Sequence, residues 1–389
     1  MICRRIEFWF LLLVFLMLSI TEESAYAATA GVDCGSLLPS SFVKILEYFR
    51  WTFLIMLVLD GFTSVFSIKK LSQYQSRFVL FYLILAVLSV FYGDMIRYFG
   101  LLAMVVVVPI AFTVLLEKYG LATVLKTFYY FVIFLTFVGL FATFRSVGFS
   151  IRYTGWLRNP NAFILINTFF ILIVMANLLY KNIRTSYGYF FLSFLVYGQL
   201  SAGSRAGFIS LCILSVAFML LNRMSPSKLI LILIVFLLGF FFFLKCGPED
   251  SLRVFQLSSA FSDSGRADTL LKIMPEIQKN WLFGCGFYAM DECGVAVFSS
   301  YVLLVFFIGI PGGTFLSAWY IYSCYRAIIR RKDFLSPVRD IMVAYMLTLP
   351  FMMLGENIIT GIGMPWFFQI LLGIGFISAL SRPDCERFV

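Results

Sequence analysis

The chain has 389 residues, of which 61% are hydrophobic and 13% are charged, and its mean hydropathy is +0.96. This composition excludes a soluble domain, because so few polar residues cannot cover the surface of so large an apolar core. There are 30 basic residues, 20 acidic residues and no histidine. The lack of histidine excludes a Ser/His/Asp triad, a haem with a histidine ligand and the usual zinc sites.

Apolar runs recur along the whole chain, and about 20 helical residues are enough to cross the hydrocarbon core of a bilayer. They predict an all-α polytopic membrane protein with about twelve transmembrane helices. No repeat or linker divides the chain, so residues 1–389 are expected to form a single integral membrane domain. In chain order, the apolar cores occupy residues 8–20, 43–66, 78–93, 99–116, 127–144, 162–180, 187–200, 206–222, 229–245, 299–325, 340–355 and 365–380.

Residues 1–27 fit either a cleavable signal peptide or a first transmembrane helix, because Arg4 and Arg5 precede an apolar stretch that small residues follow. Both interpretations start the chain in the cytoplasm. Lysines and arginines then gather in the cytoplasmic breaks, as the positive-inside rule requires, and both termini are predicted to be cytoplasmic. The net charge of +10 is explained by orientation and anionic lipid, so no nucleic-acid partner is expected.

The breaks at residues 145–161, 201–205, 246–298 and 356–364 are predicted to face the outside, and only one of these four is long. Residues 246–298 carry much of the polar sequence of the chain and are predicted to form one large extracytoplasmic loop. Within this loop, the amphipathic stretch LLKIMPEIQKNWLFG predicts a short helix at the membrane surface.

Arginines occur on the outer side, where topology gives no reason for positive charge. Three stretches carry them: RYTGWLRNPNA at 152–162, SAGSRAGF at 201–208 and DSGRADTL at 263–270. One such arginine is explained by snorkelling at a helix end or by pairing with a carboxylate. Three separate motifs favour a binding site, because a guanidinium presents a fixed fork of donors that matches phosphate oxygens. A lipid-linked diphosphate fits such a membrane-bound group of arginines.

Small and helix-breaking residues surround these arginines. In the first motif, Gly155 permits an unusual backbone angle, Pro160 ends the loop before the next helix, and Asn159 or Asn161 can cap that helix. In the second motif, small residues allow the backbone to approach a ligand or a neighbouring helix closely. We therefore expect a tight outer loop at the first motif and close packing at the second, where a helix re-enters the membrane.

The three motifs, followed by SSYVLLVFFIGIPGG from residue 299, resemble the O-antigen ligase and O-antigen polymerase superfamily of bacterial envelope proteins. The resemblance covers roughly residues 145–320. It implies an integral membrane glycosyltransferase that uses undecaprenyl-diphosphate-linked glycans as donor and acceptor on the periplasmic face of the inner membrane. The large loop would then be periplasmic, and membrane lipid, a chain-length regulator and a flippase of the same pathway would be the partners.

The resemblance also implies roles for individual residues. Arg205 and Arg266 would grip the donor pyrophosphate, and Arg152 or Arg158 would help to shape the pocket. Arginines can neutralise the charge that Mg²⁺ neutralises in enzymes using nucleotide sugars, so neither a metal nor another cofactor is expected. The complete set expected to bind substrate is Arg152, Arg158, Asn159, Asn161, Arg205, Arg266 and Ser299.

A carboxylate is expected to act as the catalytic base that accepts the proton of the acceptor hydroxyl. The candidates are Asp291 and Glu292 in the large loop and Glu356 at the end of the eleventh apolar run. A carboxylate at a membrane boundary is costly unless it is paired or hydrated, which draws attention to Glu356. Its alternative role is a structural one, in water or in a pair with an arginine.

The missing histidine separates two branches of the superfamily. Ligases, which transfer the finished glycan to lipid A core, typically have a histidine at the place that residues 297–301 occupy here. Its absence favours the polymerase branch, which extends O-antigen, capsular or exopolysaccharide repeat units. The ligase remains the alternative. A polysaccharide transporter or flippase is the second alternative, although no internal repeat typical of transporters is evident in the sequence.

Overall fold

In the computed structural model of the chain, the described residues form helices joined by turns and loops, with no β-strand among them. This agrees with the predicted all-α class. The described residues are 41, 44–45, 48–49, 51–52, 55–56, 59, 77, 80–85, 87, 119–146, 153, 155, 160–179, 181–222, 230, 234, 237–241, 266–286, 299–329 and 338–355.

Seven helices are described over their full length. The bounds of six of them lie close to those of predicted apolar runs, and the seventh is the short helix predicted within the large loop. They are α1 Leu121–Ser146, α2 Pro160–Leu179, α3 Thr185–Ser201, α4 Arg205–Asn222, α5 Arg266–Lys279, α6 Ser300–Ile329 and α7 Val338–Gly355. The runs predicted at 43–66, 78–93 and 229–245 are described only in part, and those at 8–20, 99–116 and 365–380 lie outside the described residues.

Two stretches of the described helices are long and apolar enough to cross a bilayer. They are Ala122–Phe141 in α1 and Ser300–Arg326 in α6. Helices α2, α4 and α7 contain apolar stretches that are shorter, at Phe163–Leu179, Gly207–Ala217 and Val343–Leu354.

Helix α2 lies at the centre of the described bundle. Its residues 163–177 are buried on every side, which explains why its sequence is apolar all round instead of amphipathic. The Phe169 ring makes an edge contact with Phe128 of α1 at 5.7 Å and a tilted contact with Tyr345 of α7 at 5.4 Å, measured between ring centroids. Large aromatic rings of three helices therefore meet in this core.

Helices α2, α3 and α4 form consecutive hairpins. Pro160 begins α2, a position where its missing N–H costs nothing. Gly203 stands just after α3 with φ +62°, the left-handed conformation that commonly ends a helix. Its N–H donates to the Leu200 carbonyl at 3.0 Å. Only three residues, 202–204, separate α3 from α4, which agrees with the short break predicted at residues 201–205.

Helix α6 is interrupted at Ile308 and Gly309, where Gly309 has φ +78° and ψ +170°. Pro311 causes part of this break, because it has no N–H to donate to the Phe307 carbonyl one turn earlier. The turn that follows α5, residues 280–286, closes the gap. The N–H groups of Cys285 and Gly286 donate to the Phe306 and Phe307 carbonyls at 2.8 and 3.0 Å, and the Ile310 N–H donates to the Trp281 carbonyl at 2.7 Å.

Glycines make this docking possible. Gly284 and Gly309 both have φ +78°, and a Cβ on either would overlap the backbone of the other segment. Main-chain hydrogen bonds therefore join the turn 280–286 to the fourth sequence motif, SSYVLLVFFIGIPGG at residues 299–313. Because the carbonyl groups at the break have donors, the interruption is a stable feature of the fold.

Candidate functional site

The first two arginine motifs meet directly. The Tyr153 N–H, in the loop before α2, donates to the carbonyl oxygen of Ser201 at the end of α3, at 3.0 Å. The Tyr153 ring is 5% exposed and packs edge-on against Phe163, with 4.9 Å between the ring centroids. Residues that are almost 50 positions apart in the chain are thus held together at one end of the α2–α3 hairpin.

Two glycines allow this close approach. Gly155 has φ +61°, and a Cβ there would lie 2.5 Å from Cδ2 of Phe163. A Cβ on Gly198 would lie 3.2 Å from the Tyr153 ring. The unusual angle expected at Gly155 is therefore present, and it folds the loop onto the Phe163 ring.

A buried amide network fastens the second motif to α2. The Gln199 Nε2 group donates to the Thr168 hydroxyl at 3.1 Å and to the Gly207 carbonyl at 3.3 Å. The Gln199 Oε1 atom accepts a hydrogen bond from Asn167 Nδ2 at 2.7 Å. Gln199 thereby connects three helices, α2, α3 and the first turn of α4. Its sequence signal is a single amide in the apolar run FLSFLVYGQL, which our sequence interpretation did not use.

Asn167 is fully buried, and its Oδ1 atom has no hydrogen-bond partner among the residues that the structure describes. The residue lines a cavity of about 10 Å³, together with Tyr153, Phe163 and Gly198. A space of that size is near the lower limit for one water molecule and is far too small for a sugar. The cavity is therefore a small gap in the packing beneath the loop before α2, and it is not a substrate pocket.

Arg205 is the first residue of α4 and is half-buried. Ser204 precedes it, is buried, and accepts a hydrogen bond from the Phe208 N–H through its carbonyl oxygen at 3.0 Å. The N–H groups of a first helical turn add partial positive charge to that of the guanidinium. This end of α4 therefore favours an anion more than an isolated arginine would.

Burial raises the pKa of the Tyr153 phenol above its usual value, and the neighbouring Tyr197 raises it further. A tyrosine phenol is already neutral at physiological pH, and this shift keeps it so at higher pH as well. Tyr153 adds no negative charge to compete with a phosphate group near the first two motifs.

The fourth motif contacts the end of α7. The Ser299 hydroxyl donates to the Met353 carbonyl at 3.2 Å, and the Tyr301 hydroxyl donates to the Pro350 carbonyl at 2.9 Å. Ser299 thus helps to hold α6 against α7, whatever else it contacts.

Arg266 is the first residue of α5, and its side chain lies outside the described residues.

The described residues contain part of the expected site. Asn161 is the second residue of α2 and is half-buried, so it lies in the same hairpin end as Tyr153. Among the described residues, no group of three or more histidine, cysteine, aspartate or glutamate side chains could hold a metal ion. The remaining expected site residues lie outside the described part of the chain: Arg152, Arg158, Asn159, Asp291, Glu292 and Glu356.

Comparison of the chain with known proteins finds no matching family model and no matching curated sequence.

Proposed function

We propose that this chain is a multi-pass glycosyltransferase of the bacterial inner membrane. It joins undecaprenyl-diphosphate-linked repeat units into O-antigen, capsular polysaccharide or exopolysaccharide on the periplasmic face. The observation that carries the proposal is the Tyr153–Ser201 hydrogen bond, because it brings two separate arginine motifs to one end of the helical bundle. Convergence of guanidinium-bearing turns suits the grip of a diphosphate.

The proposed reaction transfers a glycan from one lipid carrier to the next repeat unit. The acceptor hydroxyl attacks the anomeric carbon of the donor, and the bond between that carbon and the diphosphate oxygen breaks. Arg205 and Arg266 stabilise the charge that develops on the departing undecaprenyl diphosphate. A carboxylate takes the hydroxyl proton, with Asp291, Glu292 and Glu356 as the candidates.

Contacts near the C-terminal end of α6 support the proposed orientation. The Trp319 indole N–H donates to the Arg77 carbonyl at 3.3 Å. The guanidinium carbons of Arg77 and Arg326 lie 5.6 and 6.0 Å from the centroid of the Tyr322 ring. Both arginines belong to breaks that the positive-inside rule assigns to the cytoplasm. Their meeting on one ring agrees with a position of both breaks on the same side of the membrane.

A surface-glycan profile tests the proposal. Cells lacking the gene are complemented with the wild-type chain, with Arg205→Lys or with Arg184→Lys, and their glycans are resolved on a gel. Lysine keeps the charge of Arg205 but loses the bidentate fork, so we expect Arg205→Lys to yield mainly single repeat units. Arg184 is the matched control, because it is an exposed arginine directly before α3, at the other end of that helix.

Each result of this experiment has a distinct meaning. Lipid A core bearing one repeat unit in the deletion strain supports a polymerase. Core without any repeat unit, with long undecaprenyl-linked chains accumulating, would identify a ligase despite the absent histidine. Long glycan made normally by Arg205→Lys, with the protein present in the membrane at wild-type level, would remove Arg205 from the site.

A transporter is the second candidate, and the interrupted helix α6 is the observation that favours it. Many secondary transporters bind their substrates at broken helices, whose freed backbone groups contact the ligand. Here the Phe306 and Phe307 carbonyls already accept hydrogen bonds from residues 285 and 286, which leaves them less available to a ligand. Purified protein in detergent separates the two functions, because an enzyme lengthens a lipid-linked glycan there and a transporter does not.

A further inference from the structure

Helix α5 has three different faces although it is only 14 residues long. Ile273 and Ile277 are buried, on the side where α5 packs against α6. Next to them, Leu270, Leu271 and Met274 form an exposed, mainly apolar face, because about 100° of rotation per residue places them on one side of the helix; Gln278 is exposed on the same side. Lys272, Glu276 and Lys279 form a polar face opposite this exposed apolar face.

The turn after α5 continues the apolar face. Trp281, Leu282 and Phe283 are consecutive exposed residues, and Phe283 is 72% exposed. The backbone of the same turn is well supplied with partners, since Gly284 N–H donates to the Asn280 carbonyl at 2.7 Å and further bonds join the turn to α6. The Asn280 side chain donates to the Glu276 carbonyl at 3.3 Å. The turn therefore exposes apolar side chains while its backbone polar groups are hydrogen-bonded. A segment surrounded by the hydrocarbon of a bilayer must meet both conditions.

The break in α6 fixes the depth of this turn relative to the cytoplasmic arginines. Gly309 lies about 20 Å along the helix axis from Tyr322, at about 1.5 Å per residue. A hydrocarbon core is about 30 Å thick, so the break lies about 10 Å beneath its outer boundary if Tyr322 marks the inner one. Amphipathic helices at membrane surfaces bury their apolar faces about 5–10 Å deep, which is the same range.

We propose that α5 and the turn 280–286 are embedded in the outer leaflet of the membrane. The acyl chains of lipid cover Leu270, Leu271, Met274, Trp281, Leu282 and Phe283, while Lys272 and Lys279 face water and headgroups. This surface is continuous with that of α6, where Ile310 is exposed beside the turn and Phe315 is exposed about one turn farther along. The inference rests on the membrane orientation proposed above, but not on the chemistry of the enzyme.

Photo-crosslinking in lipid vesicles tests this inference. The full chain, carrying p-benzoyl-phenylalanine at Leu271 or Phe283, is placed in phosphatidylethanolamine–phosphatidylglycerol vesicles with radiolabelled acyl chains and irradiated. We expect lipid adducts at both positions in yields similar to that at Phe315, the control for a lipid-facing residue of α6. The same probe at Lys272, on the polar face of α5, should give several-fold fewer adducts.

Other patterns of adducts would overturn the inference and separate it from the function. Lipid adducts at Phe315 without adducts at Leu271 and Phe283 would place α5 in water and leave the orientation intact. Crosslinks from Phe283 to another part of the chain would mean that protein covers this face. An absence of adducts at Phe315 as well would reject the membrane orientation and this inference together. None of these outcomes depends on whether the chain polymerises a glycan.

Discussion

The backbone N–H of Tyr153 donates to the carbonyl oxygen of Ser201 at 3.0 Å, and this bond joins the loop before α2 to the end of α3. It satisfies a carbonyl in the last turn of α3, where the helix itself supplies no donor. Arg205 follows four residues after Ser201. The conformation of the loop before α2 and the position of Arg205 are therefore coupled through the main chain.

Gly155→Ala is expected to destabilise the protein, because an alanine at φ +61° is strained and its Cβ would lie 2.5 Å from the Phe163 ring. Backbone strain of this kind costs about 1–3 kcal/mol, and the clash adds to it. Thermal unfolding of the purified protein in detergent measures the effect. Gly120→Ala is the matched control, since Gly120 has φ +78° but no atom within 4 Å of an added Cβ. Equal losses in both variants would argue against the contact with Phe163.

Gln199→Leu is expected to lower stability by about 1–3 kcal/mol, because it leaves buried polar groups of α2 without their partner. Its amide contacts Thr168 and Asn167 on α2 and the Gly207 carbonyl on α4. A double-mutant cycle with Asn167→Leu, measured by chemical unfolding, isolates the coupling between the two amides. We expect the double variant to lose less than the two single variants together. Strict additivity would show that Asn167 and Gln199 do not act as one network.

Gly309→Ala is expected to prevent the docking of the turn 280–286 on α6. The added Cβ would overlap the Leu282 carbonyl, which is backbone and cannot rotate away. Limited proteolysis should then cleave near residue 282, whereas we expect the hydrogen bonds to α6 to protect this turn in the wild-type protein. Gly312→Ala provides the control, because its Cβ would meet only the Ile308 side chain at 3.2 Å. Wild-type protease resistance of Gly309→Ala would contradict the observed docking.

Ser299→Ala separates a structural role from a role in binding substrate. Ser299 and Tyr301 each donate one hydrogen bond from α6 to α7, so Ser299→Ala and Tyr301→Phe should cost a similar 0.5–1.5 kcal/mol or so of stability. If Ser299 also contacts substrate, only Ser299→Ala raises KM for the lipid-linked repeat unit. Measurement of KM and unfolding for both variants decides this. Equal KM values would assign Ser299 to structure alone.

The helical class and the positions of most described helices could be predicted from the sequence. In a bilayer, the backbone N–H and C=O groups of a spanning segment must bond to each other. A long apolar run is therefore expected to be helical, because a helix satisfies these groups within the segment. The short helix in the large loop was also predicted, because its sequence is amphipathic, and α5 confirms that this stretch is helical. The interruption of α6 was not predicted, although Gly309 and Pro311 are visible in the motif IGIPGG, because neither residue identifies the segment that fills the gap.

Some features of the candidate site could likewise be predicted from the sequence, and others could not. The arginine motifs, with their glycines and Pro160, are local signals and could be read directly. Gln199 was missed, since a single amide in an apolar run reveals its importance only when its partners on α2 and α4 are known. Arg205 was selected for its charge, whereas its proximity to the loop at Tyr153 is a property of the α2–α4 hairpins.

By itself, the sequence determined the helical class, the apolar runs, the excluded chemistries and the residues with unusual backbone freedom. Each of these depends on composition or on neighbours within a few positions along the chain. The tertiary structure alone decided that Tyr153 binds Ser201, that Gln199 links three helices and that residues 280–286 fill the break in α6. The physical reason is that these hydrogen bonds join groups from different helices, and their geometry exists only once the apolar faces of those helices have packed.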